Sequence, residues 1–364
     1  MNAETNKSLE SLAQQFAIEG KVKEVKPLGD GLINDTYLVA ADGGERYVLQ
    51  RINRAVFPDI DALQTNLVKI TSHIRKCLED KGVENIDKKV LTPVKVSDGC
   101  LWIENDGEAW RMTRYIADSV TRTNLTDEMA EVTGYAFADF HNMMSRADAP
   151  ELQETIKDFH YVSFRIKQLE DAVAADSEKR LANVQPIVDE LLQRASEMTA
   201  AERLYQEGKL PKRIAHCDTK LNNILFDKSG EVLCVIDLDT TMPGFVLSDF
   251  GDFIRTAANT GAEDDPYVER VGVNMDVFKS FAKGYLKGAT FLSPLERSLL
   301  PFGAQMLTYM QTVRFLTDYL NGDTYYKTAY PEHNLVRTKA QLALLHSIDA
   351  HLDEMKQYID NYKL

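Results

Sequence analysis

Residues 216–237 read HCDTKLNNILFDKSGEVLCVID, and this stretch carries the most specific pattern in the chain. Its two short apolar runs are separated by a Lys-Ser-Gly turn, which predicts two strands joined by a tight hairpin. Asp218 and Asn223 precede the first strand, and Asp237 ends the second. We therefore expect the hairpin to bring these three side chains to one edge, where their oxygen atoms face one cavity.

The residue types in this stretch suit phosphoryl transfer. Oxygen ligands without Cys or His favour a hard cation such as Mg²⁺, which is usually held by one or two carboxylates together with substrate phosphates, here those of ATP. The reaction also needs a carboxylate that orients the attacking hydroxyl and accepts its proton. We assign Asp218 to this catalytic role, Asn223 and Asp237 to the metal, and Lys220 to the transferred phosphoryl group.

The H-x-D-x-x-x-x-N spacing of residues 216–223, followed by Ile236-Asp237, resembles the catalytic and metal-binding segments of the protein-kinase-like superfamily, which includes aminoglycoside and choline kinases. The alternative is a loop whose Asp and Asn residues only cap helices and form turns. Finding both motifs at hairpin distance favours the kinase interpretation. The resemblance implies a two-lobed α+β fold, in which a small antiparallel-sheet lobe containing one helix binds nucleotide and a larger, mainly helical lobe binds substrate.

The hydrophobic pattern supports the same division. In the first third of the chain, short β-type runs predict two hairpins, 36–40 with 47–52 and 101–104 with 109–116, and a helix beginning near residue 60 lies between them. Beyond that, helical spacing is found near residues 125–145, 183–207, 274–290, 293–320 and 333–361. We predict a nucleotide-binding lobe over residues 1–116 and a helical catalytic and substrate-binding lobe over residues 117–364.

A glycine-rich turn, Gly29-Asp30-Gly31-Leu32-Ile33-Asn34, lies between two predicted strands of the small lobe. Glycine lets backbone amides approach phosphate groups closely. A Gly-Asp-Gly sequence is also common in plain hairpins, but the position of this one relative to the later motifs favours a nucleotide-binding loop. The residues expected to contact ATP there are Gly29, Asp30, Gly31 and Asn34.

The next small-lobe strand departs from the superfamily pattern. Where such kinases usually carry an ATP-pairing lysine, residues 47–51 read YVLQR, so that Gln50 occupies the lysine position. Either Gln50 hydrogen-bonds a phosphate without charge, or Arg51 supplies the cation from a shifted register. By order along the chain, the strand at 109–116 resembles the hinge that meets adenine. The residues this implies near the base are Arg114, Tyr115 and Ile116.

Longer stretches resemble N-acetylhexosamine 1-kinases over nearly the whole chain. The similar stretches are residues 218–223, 236–240, 242–244, 249–252, 254–255, 314–316, 318–320 and 330–337, together with the glycine-rich turn. The resemblance implies ATP-dependent phosphorylation of the anomeric hydroxyl of N-acetylgalactosamine or N-acetylglucosamine, which yields the sugar 1-phosphate in amino-sugar salvage. The preferred epimer, the choice between ATP and GTP, and the oligomeric state stay open.

Two arginines are candidates for substrate contacts beside Asp218. Arg314 falls within a predicted helix, where it either reaches sugar hydroxyls or pairs with Asp318 one turn further on. Arg255 follows a group of carboxylates, and it either binds substrate or forms an internal ion pair that holds the neighbouring loop.

Three other polar residues are expected to support the site. Asp249 is expected to hydrogen-bond the catalytic loop rather than the metal, and His216 to anchor that loop rather than to transfer protons. For Asp239 two roles are open, a second carboxylate on the metal side or a cap for the segment that follows.

Composition limits the classes of partner. A formal charge of −14 opposes a general nucleic-acid-binding surface, because such surfaces neutralise phosphates with Lys and Arg. The four cysteines show no metal or redox spacing, and neither a signal-peptide core nor a membrane-spanning apolar run is found. We expect a cytoplasmic protein that binds small molecules and neither nucleic acid nor membrane.

Two rival functions remain. One is a kinase of another small alcohol, such as choline, homoserine or an aminoglycoside. The other is a nucleotide-binding pseudokinase without turnover, for which Gln50 is the hint in the sequence.

Overall fold

The structure is a computed structural model that describes residues 3–29, 33–122 and 125–363. It divides into two compact units. The first, which we call the sheet unit, comprises Met1–Thr121, Arg146–Ile156 and Ile224–Thr241; the second, the helical unit, comprises Arg122–Ser145, Lys157–Asn223 and Met242–Leu364. The predicted lobe over residues 1–116 falls wholly within the sheet unit, which also takes in two later segments.

The strands and the helices are numbered separately, each in chain order. The strands are β1 (Val22–Pro27), β2 (Asp35–Ala41), β3 (Arg46–Ile52), β4 (Pro93–Val94), β5 (Ile103–Asn105), β6 (Glu108–Arg114), β7 (Arg213–Ala215), β8 (Ile224–Phe226), β9 (Val232–Val235) and β10 (Met242–Gly244). The helices are α1 (Ala3–Ala13), α2 (Ile60–Asp80), α3 (Asp127–Met144), α4 (Val162–Ala175), α5 (Leu181–Met198), α6 (Ala200–Gln206), α7 (Val246–Ala257), α8 (Met275–Gly288), α9 (Pro294–Ser298), α10 (Leu300–Leu320) and α11 (His333–Asn361).

An antiparallel sheet forms the body of the sheet unit. Its strand order is β1-β2-β3-β6-β4, with β5 added to β6, so both predicted hairpins are confirmed. The pairing of β3 with β6 sets Gln50 opposite Arg111. Apolar residues on one side of the sheet, including Val39 and Leu49, pack against Leu12 of α1 in a single buried cluster.

The predicted hairpin after the catalytic loop is present as β8 and β9, with Ile224 paired to Val235. Phe226 of β8 also forms an isolated antiparallel bridge with Val120. This bridge attaches the hairpin to the chain that follows β6, which explains why residues 224–241 belong to the sheet unit although they lie far along the chain.

The helical unit contains the five predicted helical stretches, two of them interrupted. The stretch at 183–207 divides into α5 and α6 at Thr199, and the stretch at 293–320 divides into α9 and α10 at Leu299. Ser293 caps α9, since its side chain accepts a hydrogen bond from the Glu296 amide while the Glu296 carboxylate accepts one from the Ser293 amide.

Three helices were not predicted, namely α1, α4 and α7. The apolar residues of α7 do stand at helical spacing, at positions 246, 247, 250, 253 and 254, so the signal was present in the sequence. Helix α7 contacts α10 backbone to backbone: a Cβ on Gly251 would lie 2.1 Å from the Gly303 carbonyl oxygen, and a Cβ on Gly303 would lie 2.0 Å from that of Leu247. Glycine is therefore required at both positions.

Among the described residues, no helix is both long enough and apolar enough to cross a membrane.

Candidate active site

The loop that precedes β8 is held by a buried carboxylate from α7. Asp249 accepts a hydrogen bond from the His216 amide at 2.6 Å and one from the Cys217 amide at 2.8 Å. Cys217 has a φ of 61°, a left-handed conformation that a residue with a Cβ adopts at a cost. Two hydrogen bonds to one carboxylate offset this cost, and the expected role of Asp249 as a support for the loop is confirmed.

A chain of hydrogen bonds supports Asp249 in turn. His141 of α3 lies with its Nε2 2.7 Å from Asp249 Oδ2, and the Tyr285 hydroxyl of α8 lies 3.0 Å from His141 Nδ1. Burial by itself raises the pKa of Asp249, but the opposing contributions, led by the hydrogen bond with His141 and including the backbone hydrogen bond from His216, together bring the pKa below its ordinary value. Sequence reasoning missed His141 and Tyr285, because no local motif connects either residue with Asp249. His141 lies 108 residues before Asp249 in the chain.

Asp218 is the residue that the loop presents. Its Oδ1 lies 2.5 Å from the Lys220 ammonium, and its Oδ2 accepts a hydrogen bond from Asn223 Nδ2 at 2.9 Å. Burial raises the pKa of Asp218, but the opposing contributions, led by the charge and hydrogen bond of Lys220 and including the hydrogen bond from Asn223, together lower it from its ordinary value. The carboxyl group is therefore ionised at neutral pH, as a general base must be.

Asn223 has an amide oriented by the same loop. Its Nδ2 donates to the backbone carbonyl of Asp218 at 2.8 Å as well as to the Asp218 carboxylate, so Oδ1 is the atom left to act as an acceptor. An amide oxygen of this kind is a suitable ligand for a hard divalent cation. In the chain, Asn223 immediately precedes β8.

Asp237 follows β9 by two residues and is described within the sheet unit. Its backbone is left-handed, with φ of 59° and ψ of 57°, and it is followed by the short 3-10 turn Leu238–Thr240. Its carboxylate offers the second type of oxygen ligand that such a cation prefers. The residues predicted to hold a metal thus have the right donor chemistry.

The glycine-rich turn lies between β1 and β2, as predicted. Gly29 has a φ of 71°, which favours glycine, while Asp30 and Gly31 lie outside the described residues. Asn34 is held from both ends of its side chain: Oδ1 accepts from the Asn53 amide at 3.0 Å, and Nδ2 donates to Asp239 Oδ2 at 2.9 Å.

The two candidates at the lysine position have different surroundings. Gln50 donates from Nε2 to Thr36 Oγ1 at 3.2 Å and accepts from Arg111 Nε at 3.0 Å. Arg51 is paired instead with the carboxylates of Asp35 and Glu108, at a partly exposed position. Arg51 is therefore occupied by two carboxylates, which weighs against its role as the missing cation.

The residues that resemble an adenine-contacting hinge lie at and just after the end of β6. The Arg114 side chain is exposed and pairs with Glu19 and Glu45, and Tyr115 has the Arg46 guanidinium 4.4 Å from its ring centre. The Arg114 side chain is therefore engaged at the surface, while Ile116 is buried.

On α10 of the helical unit, Arg314 lies among aromatic rings. Its guanidinium carbon is 5.4 Å from the ring centre of Phe159, 5.8 Å from that of Tyr325 and 5.5 Å from that of Tyr326, and its Nη1 donates to Gln311 at 3.0 Å. Such an arrangement combines apolar faces with charged donors, as ligand sites commonly do.

Asp318, the alternative partner of Arg314, has another role. Its carboxylate accepts hydrogen bonds from the amides of Thr324, Tyr325 and Tyr326 at 2.8 to 3.0 Å, and from Asn334 Nδ2 at 2.8 Å. Asp318 and Asn334 therefore fix the loop that carries the two tyrosines beside Arg314. Asn334, within the 330–337 stretch, therefore has a structural role.

Arg255 is buried and paired. Its Nε donates to Asp252 at 3.0 Å and its Nη1 to Glu263 at 2.5 Å. Burial lowers the pKa of Arg255, but the two carboxylates outweigh it and the net shift is upward. These contacts match the internal ion pair that was considered beside a substrate role.

Comparison with known proteins gives one family and several similar structures. The family model described as APH, phosphotransferase enzyme family, matches residues 24–281. An aminoglycoside phosphotransferase from Alicyclobacillus acidocaldarius subsp. acidocaldarius is similar with a TM-score of 0.63 and 13% identity, over 100% of this chain and 97% of that one. An amicoumacin kinase in complex with AMP-PNP, Ca²⁺ and Ami gives 0.57 and 15%, over 97% and 96%.

A choline kinase from Cryptosporidium parvum Iowa II gives a TM-score of 0.56 and 14% identity, over 93% of this chain and 92% of that one. At such identities the likeness establishes the fold. It is the protein-kinase-like α+β fold, with a small antiparallel sheet and a larger helical part, that the sequence predicted.

The Asp218–Lys220 pair yields a prediction that needs no substrate. In Lys220→Met, burial is expected to dominate, so the pKa of Asp218 should rise above its value in the unchanged protein. The measurement is a pH titration of the Asp218 carboxyl carbon by NMR in protein labelled with ¹³C-aspartate. Lys228→Met, at an exposed position of the β8–β9 turn, is the matched control and should leave that pKa unchanged. An unshifted Asp218 pKa in Lys220→Met would contradict the assigned cause.

Proposed function

The chain belongs to the phosphotransferase enzyme (APH) family, and from this membership we propose that it transfers the γ-phosphoryl group of ATP to the anomeric hydroxyl of an N-acetylhexosamine. The observation that carries the transfer chemistry is the geometry of the loop at 216–223, where an ionised Asp218 lies between Lys220 and Asn223. The choice of sugar rests on the sequence resemblance to N-acetylhexosamine 1-kinases.

Asp218 is the general base in this proposal. The sugar hydroxyl donates its proton to the carboxylate while its oxygen attacks the γ-phosphorus, and the bond from that phosphorus to the bridging oxygen breaks to release ADP. A carboxylate has about four lone-pair positions, so an acceptor hydroxyl can bond to Asp218 without displacing Lys220 or Asn223.

Lys220 provides positive charge beside the base. The ammonium group has three N–H donors. One is directed at Asp218, and another can donate to a phosphoryl oxygen. The lowered pKa of Asp218 and the raised pKa of Lys220 both keep this pair charged. Charge fixed before the reaction begins stabilises the transferring group without reorganisation.

A divalent cation, Mg²⁺ in the sequence prediction, would be held by Asn223 and Asp237, whose oxygen atoms suit it. When bound, such a cation offsets the negative charge of the triphosphate. On the nucleotide side, the proposal assigns phosphate contacts to Gly29, Asp30, Gly31, Asn34 and Gln50, and adenine contacts to the segment Arg114, Tyr115 and Ile116. These assignments are supported by their order along the chain and by the family membership.

The sugar side of the proposal rests on Arg314. A pyranose ring offers apolar C–H faces and many hydrogen-bond acceptors, and Arg314 with Phe159, Tyr325 and Tyr326 offers the complementary groups. Arg165 adds a second guanidinium beside Phe159, because its Nη2 donates to the Phe159 backbone carbonyl at 3.0 Å. Arg255 is the weaker candidate for sugar contact, since Asp252 and Glu263 already bind it.

An acceptor panel tests the substrate directly. Purified protein with Mg-ATP is incubated with N-acetylgalactosamine, N-acetylglucosamine, galactose, choline, homoserine or kanamycin, and products are observed by phosphorus NMR. We expect a phosphorus signal coupled to the anomeric proton of an N-acetylhexosamine. Turnover with another acceptor alone would keep phosphoryl transfer and refute the sugar, whereas nucleotide binding without any turnover would favour the pseudokinase.

Arg314→Met tests the proposed sugar contact. Loss of hydrogen bonds from a charged donor should raise the KM for the amino sugar about 10- to 100-fold, with a much smaller change in the KM for ATP. Steady-state kinetics with each substrate varied in turn provides the measurement. Arg203→Met, at an exposed position of α6, should leave both values unchanged. An unchanged sugar KM in Arg314→Met would remove Arg314 from the site.

A further inference from the structure

A buried ion pair in the sheet unit involves a residue that sequence reasoning did not consider. Arg111 of β6 and Asp239 have side chains that are 5% and 3% exposed. The guanidinium donates two parallel hydrogen bonds, from Nη1 to Oδ1 at 2.5 Å and from Nη2 to Oδ2 at 2.8 Å. Removing two charges from water is costly, and apolar residues in such places are often at least as stabilising. Stability alone therefore does not account for this pair, and its other contacts indicate its role.

The pair belongs to a network that connects four parts of the sheet unit. Asn34, just after the glycine-rich turn, donates to Asp239 Oδ2 and accepts from the Asn53 amide. Arg111 Nε donates to Gln50, the residue at the usual lysine position. One buried polar network therefore contains the start of β2, the end of β3, the middle of β6 and the turn after β9.

The network also constrains Asp237, the proposed metal ligand. Asp237 precedes Asp239 by two residues and has a left-handed backbone, which is costly for a residue other than glycine and persists only where its surroundings enforce it. The Asp239 backbone carbonyl accepts a hydrogen bond from Thr155 Oγ1 at 2.7 Å, while its carboxylate is held by Arg111. Backbone and side chain are thus both fixed within one turn of Asp237.

We propose that Arg111 and Asp239 form a positioning pair for the nucleotide, holding Asn34 and the Asp237 backbone in the geometry that binds a metal-nucleotide complex. The proposal rests on the nucleotide-binding part of the proposed function and not on the sugar. Arg111 acts through Asp239 and is not itself a phosphate ligand, because its charge is matched by the carboxylate. Gln50 is a neutral member of the same network, because its Oε1 accepts a hydrogen bond from Arg111 Nε.

Nucleotide binding tests the pair. Isothermal titration calorimetry with Mg-AMP-PNP is applied to the unchanged protein and to Arg111→Met, Arg111→Lys and Asp239→Asn. We expect Arg111→Met and Asp239→Asn each to weaken binding about 10- to 100-fold, as loss of groups that orient metal ligands commonly does, and Arg111→Lys to recover part of it. Arg51→Met is the matched control, because Arg51 is also paired with two carboxylates but at a partly exposed position, and it should change binding less than about twofold.

A readout without nucleotide separates positioning from overall stability and from the proposed function. Hydrogen exchange followed by mass spectrometry should show faster exchange at residues 236–241 in ligand-free Arg111→Met, with no change in the helical unit. If Arg111→Met does not fold, Arg111→Lys and the double variant Arg111→Met with Asp239→Leu, which leaves no unpaired buried charge, provide the same comparison.

The outcomes are distinct. Unchanged Mg-AMP-PNP affinity in folded Arg111→Met, or a loss in Arg51→Met as large as that in Arg111→Met, overturns the positioning pair. Full Mg-AMP-PNP affinity in the double variant Arg111→Met with Asp239→Leu also overturns it. The loss in the single variants would then come from an unpaired buried charge and not from lost positioning. If the unchanged protein binds no Mg-AMP-PNP while residues 236–241 still exchange faster in Arg111→Met, the proposed function fails and the constraint on Asp237 stands.

Discussion

The geometry of the catalytic loop depends on the hydrogen bonds that the Asp249 carboxylate accepts from two successive backbone amides. These bonds hold Cys217 in a left-handed conformation and so fix the backbone that leads into the next residue, Asp218. The carboxylate can do this because α7 is fixed against α10 at a glycine contact, and because His141 supports it from α3. The packing of α7 against α10 and the contact with His141 of α3 thus determine the position of the Asp249 carboxylate.

In the sheet unit, the Asp239 carboxylate likewise supports a nearby residue with a left-handed backbone. Asp239 lies two residues from Asp237, and Asp249 accepts a hydrogen bond from the Cys217 amide. In both cases the supported residue is a left-handed residue other than glycine. Cost at such positions is tolerated where the surroundings over-determine them. The two residues proposed to act on substrate and metal, Asp218 and Asp237, are each placed by a buried neighbour that need not touch either.

The net charge of the chain does not show which of its cations are paired with carboxylates. In an acidic chain, three of the cations described above are paired with carboxylates within their own unit: Lys220 with Asp218, Arg111 with Asp239, and Arg255 with Asp252. Arg314 differs, because aromatic rings and an amide surround it. This difference is the physical reason for assigning Arg314, rather than Arg255, to a neutral sugar.

Sequence reasoning was sufficient for features that depend on local pattern. The hairpins of the sheet, the turn at Gly29 and the loop that ends in Asn223 are all encoded within a few residues, and the role of Asp249 followed from the motif around it. Arg111 could not be found in this way, since its partner is 128 residues away in the chain and only the β3–β6 register sets it opposite Gln50. His141 was missed for the same reason. Helix α7 was missed although its apolar spacing was visible.

The central claim is that Asp218 accepts the proton of the acceptor hydroxyl, and Asp218→Asn tests it most directly. The variant is compared with the unchanged protein by rapid-quench turnover of ATP and by Mg-AMP-PNP affinity, with Asp353→Asn at an exposed position of α11 as the control. An amide can still orient a hydroxyl but cannot take its proton, so the account predicts a kcat lowered by about 10² to 10⁴-fold with nucleotide affinity retained. A kcat in Asp218→Asn equal to that of the control would contradict it.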